Sequence, residues 1–340
     1  MAKKKTLTTL HQAFLGFVFL VGFIADIGGC RSTIFPDQSN LDQSIEINTT
    51  VKDAMSDIQL SLDGIQVSLA EANKQREKYE KIALTVKKYS DNIFEIGSAE
   101  FLLNNYVEAS ELWELAADQG NGNAQVNIGV LYSWGIGRPK SFKKSFKYAK
   151  LAADQGHMAG QSNLGYLYHN GKGTTKNNSL ALKYYRLAAD QGLMVAQFNI
   201  GLISTNNKEK IKYYIMAAAQ GHADAQHNLG RMYLLGEGVF KNNQKAIEYL
   251  KMASDQGVME AQNNLGTLYV ETGNYNLSFK YYKLSADFGD RQAQYNVGAV
   301  YANGWGVEKD TKKAIDYMIK SARQGFQPAQ EVLRELNLTW

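Results

Sequence analysis

The chain has 340 residues, of which 44% are hydrophobic and 21% charged, and this balance excludes a disordered chain and a polytopic membrane protein. Its single cysteine excludes a disulfide scaffold and a structural zinc site built from cysteines. The formal net charge of +4 is weak and gives no reason to expect a nucleic acid as partner.

The first 29 residues have the parts of an export signal. Three lysines at positions 3–5 precede an apolar run over 13–25, and Ile27-Gly28-Gly29-Cys30 follows. The apolar run is shorter than the roughly 20 residues that a membrane-spanning helix needs. This arrangement resembles a bacterial lipoprotein signal, which implies cleavage before Cys30 and lipidation of that residue. An uncleaved membrane anchor over 10–29 and a plain secretory signal stay open as alternatives. All three predict a protein outside the bacterial cytoplasm, either anchored in the cell envelope through its N-terminus or exported.

The next segment divides into a linker over 30–47 and a heptad pattern over 48–90. Apolar residues from Met55 to Val86 recur with alternating spacings of four and three, the a/d pattern of a coiled-coil seam. We expect a coiled-coil-like helix that allows the chain to form a homo-oligomer. The alternative is a single long helix that folds back on the rest of the protein.

From residue 92 the chain repeats itself. An Ala-Gln pair, or Gly160-Gln161 in one case, recurs with spacings of 29 to 36 residues, a period typical of stacked helical repeats. A glycine follows five positions after each pair except the last, and a tyrosine follows that glycine by three positions in most repeats. Many repeats then carry a Gly-x-Gly turn and close with Gln-Gly. The pattern predicts two helices per repeat, with glycine ending helices where the chain must turn.

These residues carry a family resemblance. The clearest unit, from Ala225 to Val239, reads AQHNLGRMYLLGEGV, and Lys245-Ala246 and Gln256-Gly257 follow it. It resembles the Sel-one-like repeat, a relative of the tetratricopeptide repeat. The resemblance implies an all-α, right-handed solenoid of about seven helix-turn-helix repeats over 92–328, preceded by the heptad helix and closed by a capping helix over 329–340. It also implies a non-enzymatic adaptor that binds a protein or peptide, in the bacterial envelope or at the boundary with a host.

Residues with catalytic or metal-binding chemistry do not form a recognisable set. His157, His169, His222 and His227 lack paired ligand spacing, and Gly171-Lys172-Gly173 lacks the remainder of a phosphate loop. We therefore expect no cofactor, no metal and no enzymatic activity. The alternative is a hydrolase of the β-lactamase-like kind described for cysteine-rich relatives, but the cysteine pairs of those relatives are missing here.

The helical period separates the two sides of each first helix. Counting from the anchor alanine at about 100° per residue, positions 0, +4 and +8 face the core. Positions −1, +2, +6 and +9 lie on the opposite side, which in similar solenoids lines the concave groove. That side varies between repeats and predicts a partner-binding groove formed by Val126, Val130, Ser133, Ser162, Tyr166, His169, Phe198, Leu202, His227, Arg231, Asn263, Thr267, Tyr295 and Ala299, with Trp134 at its border.

Two alternatives stay open for this side. Phe198 and Tyr295 could instead fill gaps between neighbouring first helices. The asparagine that recurs at +3 could contact a bound peptide or form hydrogen bonds within the array.

Overall fold

The structure is a computed structural model that describes residues 92–340 together with Glu77, Lys81, Leu84 and Lys87. The predicted signal, Cys30, the linker and most of the heptad segment lie outside the described residues. Over 92–340 the chain forms fifteen α-helices and no strand. It divides into two compact units, one ending at Ser141 and the other beginning at Phe142.

The described part of the first unit contains three helices: α1 (Ile93–Leu102), α2 (Tyr106–Asp118) and α3 (Gly122–Trp134). Helices α1 and α2 pack around Trp113, whose Nε1 donates a hydrogen bond to Oγ of Ser98 at 3.2 Å. Glu100 is buried beside this contact, where it forms an ion pair with Lys87 and accepts a hydrogen bond from Nδ2 of Asn105 at 2.7 Å. Burial alone would raise the pKa of the Glu100 carboxyl, but these two partners hold it below its usual range.

The second unit contains the remaining helices, and helices adjacent in the chain pack against each other. They are α4 (Phe142–Asp154), α5 (Met158–Asn170), α6 (Asn178–Asp190), α7 (Met194–Ile203), α8 (Asn207–Ala219), α9 (Ala223–Leu235), α10 (Asn243–Asp255), α11 (Met259–Glu271), α12 (Tyr275–Asp287), α13 (Arg291–Asn303), α14 (Thr311–Arg323) and α15 (Gln327–Glu335).

Each repeat is a helical hairpin, in which an odd-numbered first helix is followed by an even-numbered second helix. Six such hairpins lie within the two units, α1/α2 in the first and α5/α6 to α13/α14 in the second, and they confirm the predicted all-helical repeat. Local chemistry sets the helix ends. Gly171 ends α5 with a φ of 64°, which glycine adopts without strain, and Oδ1 of Asn177 accepts a hydrogen bond from the Leu180 amide at 2.9 Å to begin α6. The terminal helix α15 begins two residues before the predicted boundary at 329.

The core follows the predicted positions of the first helices. The anchor alanines from Ala124 to Ala329, and the aliphatic residues four positions later, are fully buried. Close approach of the second helix explains the glycine at the fifth position. A Cβ on Gly266 would lie 2.4 Å from Cδ1 of Tyr282, so only a residue without a side chain fits there.

Buried glutamines join the helices of the second unit. The side chains of five anchor glutamines donate to a backbone carbonyl in the last turn of the preceding second helix, as Gln226 does to Ala218 at 3.1 Å; the others are Gln197, Gln262, Gln294 and Gln330. In four repeats, Oε1 of the anchor glutamine accepts a hydrogen bond from the glutamine that follows the second helix of the same repeat. These glutamine pairs are Gln191–Gln161, Gln220–Gln197, Gln256–Gln226 and Gln324–Gln294, all at 2.7 to 2.8 Å. Because their polar atoms are satisfied, the amides can be buried without a large desolvation cost.

Candidate functional site

One position of the first helices in the second unit is accessible in consecutive repeats. It is the sixth residue after the anchor, which is occupied by Tyr166, Leu202, Arg231, Thr267 and Ala299. Tyr166, Leu202, Arg231 and Thr267 are exposed and Ala299 is half-buried. We call these five residues the first-helix surface.

Tyr166 is held in place by the turn that follows its helix. Nζ of Lys172 lies 4.8 Å from the centroid of the Tyr166 ring and 5.2 Å from that of Phe142, and it donates a hydrogen bond to the Tyr166 hydroxyl. His169 lies one turn further along the same helix, half-buried, with Nδ1 3.0 Å from Oδ1 of Asn178. These contacts fix the orientation of an exposed aromatic ring before any partner binds.

Arg231 is the one cation of this surface. Its side chain is 47% exposed, and its guanidinium lies 3.5 Å from the carboxylate of Glu237. An exposed ion pair of this length contributes little, so another carboxylate could replace Glu237 at little cost. The preceding first helices α5 and α7 contain no Asp, Glu, Lys or Arg, and the next one, α11, contains Glu260 and Glu271 outside the +6 position. The surface is therefore mainly aromatic, aliphatic and hydroxyl in character, with a single positive charge.

The predicted groove residues at +2 occupy a different environment. Phe198 is half-buried and stacks on His222, with ring centroids 4.1 Å apart. Tyr295 contacts Phe326 at 5.5 Å, and Nε2 of His227 lies 3.0 Å from Nδ2 of Asn264 in the next repeat. These contacts correspond to the alternative in which the side chains fill gaps between neighbouring helices.

The recurrent asparagines also bond within the array. Besides the contact of Asn264 with His227, Nδ2 of Asn296 donates to Oδ1 of Asn263 at 2.8 Å. Both hydrogen bonds join first helices of neighbouring repeats. These asparagines therefore stabilise the stack, and their amide groups are bonded to other side chains of this protein.

Trp134 belongs to the first unit, where it is the last residue of α3. Its ring is 51% exposed. The following turn is fixed to α2, because Arg138 forms an ion pair with Glu114 and the Tyr132 hydroxyl donates to the same carboxylate at 2.7 Å. Trp134 is thus an exposed aromatic residue beside a rigid turn.

The ionisable groups of the second unit give no sign of acid–base chemistry. Burial raises the pKa of Tyr214 to about 12 and lowers the pKa of His227, which are the shifts expected of packed side chains. The described residues contain no group of three or more His, Cys, Asp or Glu side chains placed to hold a metal ion. Among residues 92–340, no helix combines the length and apolar content needed to cross a bilayer.

Comparison with known proteins gives one family. The family model described as Sel1 repeat matches seven segments, at 93–121, 122–157, 159–193, 196–222, 223–258, 260–290 and 291–326. A search of curated proteins gives no match.

The solved structures similar to the chain include two of the same repeat type. A protective antigen of uropathogenic Escherichia coli that displays an SLR fold is 26% identical, with a TM-score of 0.65; the match covers 77% of this chain and 64% of the antigen. A Sel1 repeat protein from Oxalobacter formigenes is 29% identical, with a TM-score of 0.60, over 68% of this chain and 97% of that one. The chain thus spans less than two thirds of the length of the antigen.

Proposed function

Because the chain belongs to the Sel1 repeat family, whose members are generally non-enzymatic scaffolds for protein interactions, we propose that it holds a protein or peptide partner on the first-helix surface. One observation carries this proposal. At +6 the residue is Tyr, Leu, Arg, Thr or Ala in successive repeats, whereas the anchor and +4 positions of the same helices hold only small or aliphatic residues. A position that packs in the core keeps residues of similar size and polarity in every repeat, whereas a position that contacts a partner is free to differ from one repeat to the next.

The chemistry of the surface indicates the kind of partner. Tyr166 and Leu202 offer an aromatic ring and an aliphatic side chain at neighbouring repeats, and Arg231 offers a guanidinium one repeat further. Aromatic residues and arginine are the side chains that most often dominate binding energy at protein interfaces. The partner that fits is a segment with exposed apolar side chains and a carboxylate, which would replace Glu237 beside Arg231.

We also propose that the scaffold works in the bacterial cell envelope, anchored by lipidation of Cys30. This part rests on the lipoprotein-like signal in the sequence. Metabolic labelling with a fatty-acid analogue should mark the wild-type chain and leave Cys30→Ser unlabelled. Equal labelling of both chains, or of neither, would rule out the lipid anchor without affecting the proposed binding surface.

Partner binding is tested with two matched triple variants. The partner is first isolated with the full chain as bait and identified. Tyr166→Ala/Leu202→Ala/Arg231→Ala should then weaken its binding by about 2 kcal/mol or more, because truncated interface anchors usually cost at least this much. The control, Phe240→Ala/Leu336→Ala/Lys241→Ala, removes an exposed aromatic residue, a leucine and a cation from a loop and the C-terminus, and should bind as the wild type does. Unchanged binding by the first variant would reject the surface.

A further inference from the structure

The second helices of the second unit present a regular outward stripe. The helices α4, α6, α8, α10, α12 and α14 all have thirteen residues. Their sixth, tenth and thirteenth residues fall within an arc of about 60°, since each residue turns the helix by about 100°. All of these residues are exposed. Because the hairpins follow one another in register, the three positions form three rows that cross the helices.

The middle row is apolar. Leucine or methionine occupies the tenth position in five helices, and between 36% and 44% of each side chain remains exposed. These residues are Leu151, Leu187, Met216, Met252 and Leu284. A single exposed leucine is ordinary on a protein surface, but five exposed leucine and methionine residues at one position of consecutive repeats form an apolar row that an interface can use.

Opposite charges flank this row. The sixth position holds Lys147, Lys183, Lys212 and Lys280, and each ammonium group lies 4.7 to 5.8 Å from the ring centroid of the tyrosine that follows it. The thirteenth position holds Asp154, Asp190, Asp255 and Asp287. An anion in the last turn of a helix interacts unfavourably with the helix dipole. In α4 and α12 the aspartate forms an exposed ion pair with the lysine four residues earlier, Lys150–Asp154 and Lys283–Asp287, which offsets part of this cost. Such exposed pairs contribute little, so these carboxylates can exchange that lysine for one of a second copy.

The pattern is self-complementary. A twofold axis parallel to the apolar row turns a second copy over, so that its lysine row lies against the aspartate row of the first copy and each repeat faces its counterpart. Lys147, Lys183 and Lys280 then oppose Asp154, Asp190 and Asp287. In α14 both signs are reversed, with Asp316 at the sixth position and Arg323 at the thirteenth, and these two positions remain complementary. The tenth position of α14 is Lys320, which interrupts the apolar row and would face its own counterpart at the end of the surface.

Two helices depart from the charge pattern. Helix α8 has Ala219 at its thirteenth position, and α10 has Glu248 and Asp255 at its two charged positions. When each helix faces the same helix of a second copy, the sixth and thirteenth positions thus bring opposite charges together in four of the six helices. In α8 a lysine faces an alanine, and in α10 two acidic residues repel each other.

We propose that a second copy of this chain docks on this surface, which we call the second-helix surface, to form a parallel side-by-side homodimer. Isologous pairing of one self-complementary patch is the commonest form of protein assembly. The surface extends over six helices, each about 20 Å long, and a standard stable interface needs roughly 800 Å² per partner. The surface is distinct from both the first-helix surface and the heptad segment.

Charge reversal tests the proposal on the full chain, purified in mild detergent. One variant reverses the lysine row (Lys147→Asp, Lys183→Asp, Lys280→Asp) and the other reverses the aspartate row (Asp154→Lys, Asp190→Lys, Asp287→Lys). In sedimentation velocity, each variant alone should dimerise at least about tenfold more weakly than the wild type, because like charges then face each other. A mixture of the two variants should form heterodimers with near wild-type affinity, because every facing pair is again of opposite sign.

The outcomes separate this surface from other contacts. A wild-type chain that stays monomeric, two variants that associate as strongly as the wild type, or a mixture that forms no heterodimer would each overturn the proposal. The second outcome would assign association to another segment, such as residues 48–90. Loss of binding to anionic phospholipid vesicles by the lysine-row variant, without rescue in the mixture, would assign the surface to a membrane. Circular dichroism should give all chains the same helical signal, since every substituted residue is exposed.

A cysteine placed on the axis provides a second readout. In a Cys30→Ser background, Leu187→Cys should form an intermolecular disulfide on mild oxidation, because Leu187 meets the same residue of the second copy. The control Phe240→Cys is almost fully exposed but lies off the rows. Equal cross-linking at both positions would contradict the proposed geometry.

Discussion

Gln262 lacks a hydrogen bond that anchor glutamines of other repeats receive, because Phe288 stands where those repeats have a glutamine donor. Oε1 of Gln262 is buried and has no hydrogen-bond donor, whereas the anchor glutamines 161, 197, 226 and 294 each receive one. The donor in those repeats is the glutamine that follows the second helix. In the repeat of Gln262, Phe288 stands at that position, and its side chain is 69% exposed.

Phe288→Gln should therefore stabilise the protein. The new amide would donate to the orphaned oxygen and remove an exposed aromatic ring. A satisfied hydrogen bond adds about 0.5–1.5 kcal/mol, and relief of an unsatisfied buried acceptor adds to this value. The free energy of unfolding in urea measures the change. Phe288→Ala removes the ring without supplying a donor and serves as the control. Equal stability of the two variants would show that the orphaned oxygen carries no penalty.

The converse substitution should destabilise. Gln256→Leu removes the donor to Oε1 of Gln226, which lies 2.7 Å from Nε2 of Gln256, and leaves a buried acceptor unpaired. We expect a loss of about 1–3 kcal/mol in urea unfolding, the usual cost of an unsatisfied buried polar group. Gln226→Leu/Gln256→Leu removes both partners and should lose less than the sum of the two single variants. Strict additivity would mean that the two side chains do not interact.

The glycines at the fifth position should differ in their tolerance of a methyl group. In Gly266→Ala the new Cβ would meet the ring of Tyr282, whose Cδ1 and Cε1 lie 2.4 and 2.5 Å away, and the ring has little room to move. In Gly298→Ala the new Cβ would lie 3.0 Å from the Ala314 carbonyl oxygen and 3.1 Å from the flexible side chain of Met318, so smaller shifts would relieve both contacts. Overpacking a core costs about 1–3 kcal/mol. Gly266→Ala should approach the upper value and Gly298→Ala should fall below it, as measured by urea unfolding. The reverse order would show that the backbone at Gly266 moves away from Tyr282.

The hairpin repeat and its core could be predicted from the sequence because they depend on contacts inside one repeat. The spacing of Ala225, Leu229 and Gly230 places them on one side of a helix, and the structure buries all three. On the side of the helix away from the core, buried and exposed positions were harder to tell apart. Positions +2 and +6 lie close together on a helical wheel, yet Phe198 is packed against His222 and Leu202 is exposed. The approach of the neighbouring repeat decides between them, and the periodicity of one helix holds no information about it.

The glutamine pairs could have been found in the sequence. Gln161, Gln226 and Gln294 are each followed thirty residues later by a glutamine before the closing glycine, a spacing as regular as that of the glycines. The orphaned oxygen of Gln262 could then have been predicted from Phe288. The outward stripe of the second helices was also present in the sequence, but the exposure of its leucines and methionines required the structure, because the same residues would be expected to face a core.

The half-buried imidazole of His227 should make the protein less stable in acid. Burial lowers the pKa of this imidazole below 6.5, an effect that Arg231 reinforces and that Glu260 and Asp224 oppose. The folded state therefore binds a proton less readily than the unfolded chain does. The stability that neutral His227 provides is complete above the unfolded pKa and is lost as the pH falls below it, by at most about 1.4 kcal/mol per pH unit. Urea unfolding between about pH 7.5 and pH 5.5 should show this loss in the wild type.

His227→Gln separates this histidine from the other groups that titrate in the same range. The glutamine can still accept a hydrogen bond from Nδ2 of Asn264, which lies 3.0 Å from Nε2 of His227, but it does not titrate. The variant should therefore retain more of its stability at the lower pH than the wild type does. His157, whose pKa burial also lowers, should account for part of the loss that remains, so His157→Gln/His227→Gln should have the shallowest pH profile. If His227→Gln loses as much stability as the wild type over this range, the imidazole takes up its proton equally well in the folded and the unfolded chain.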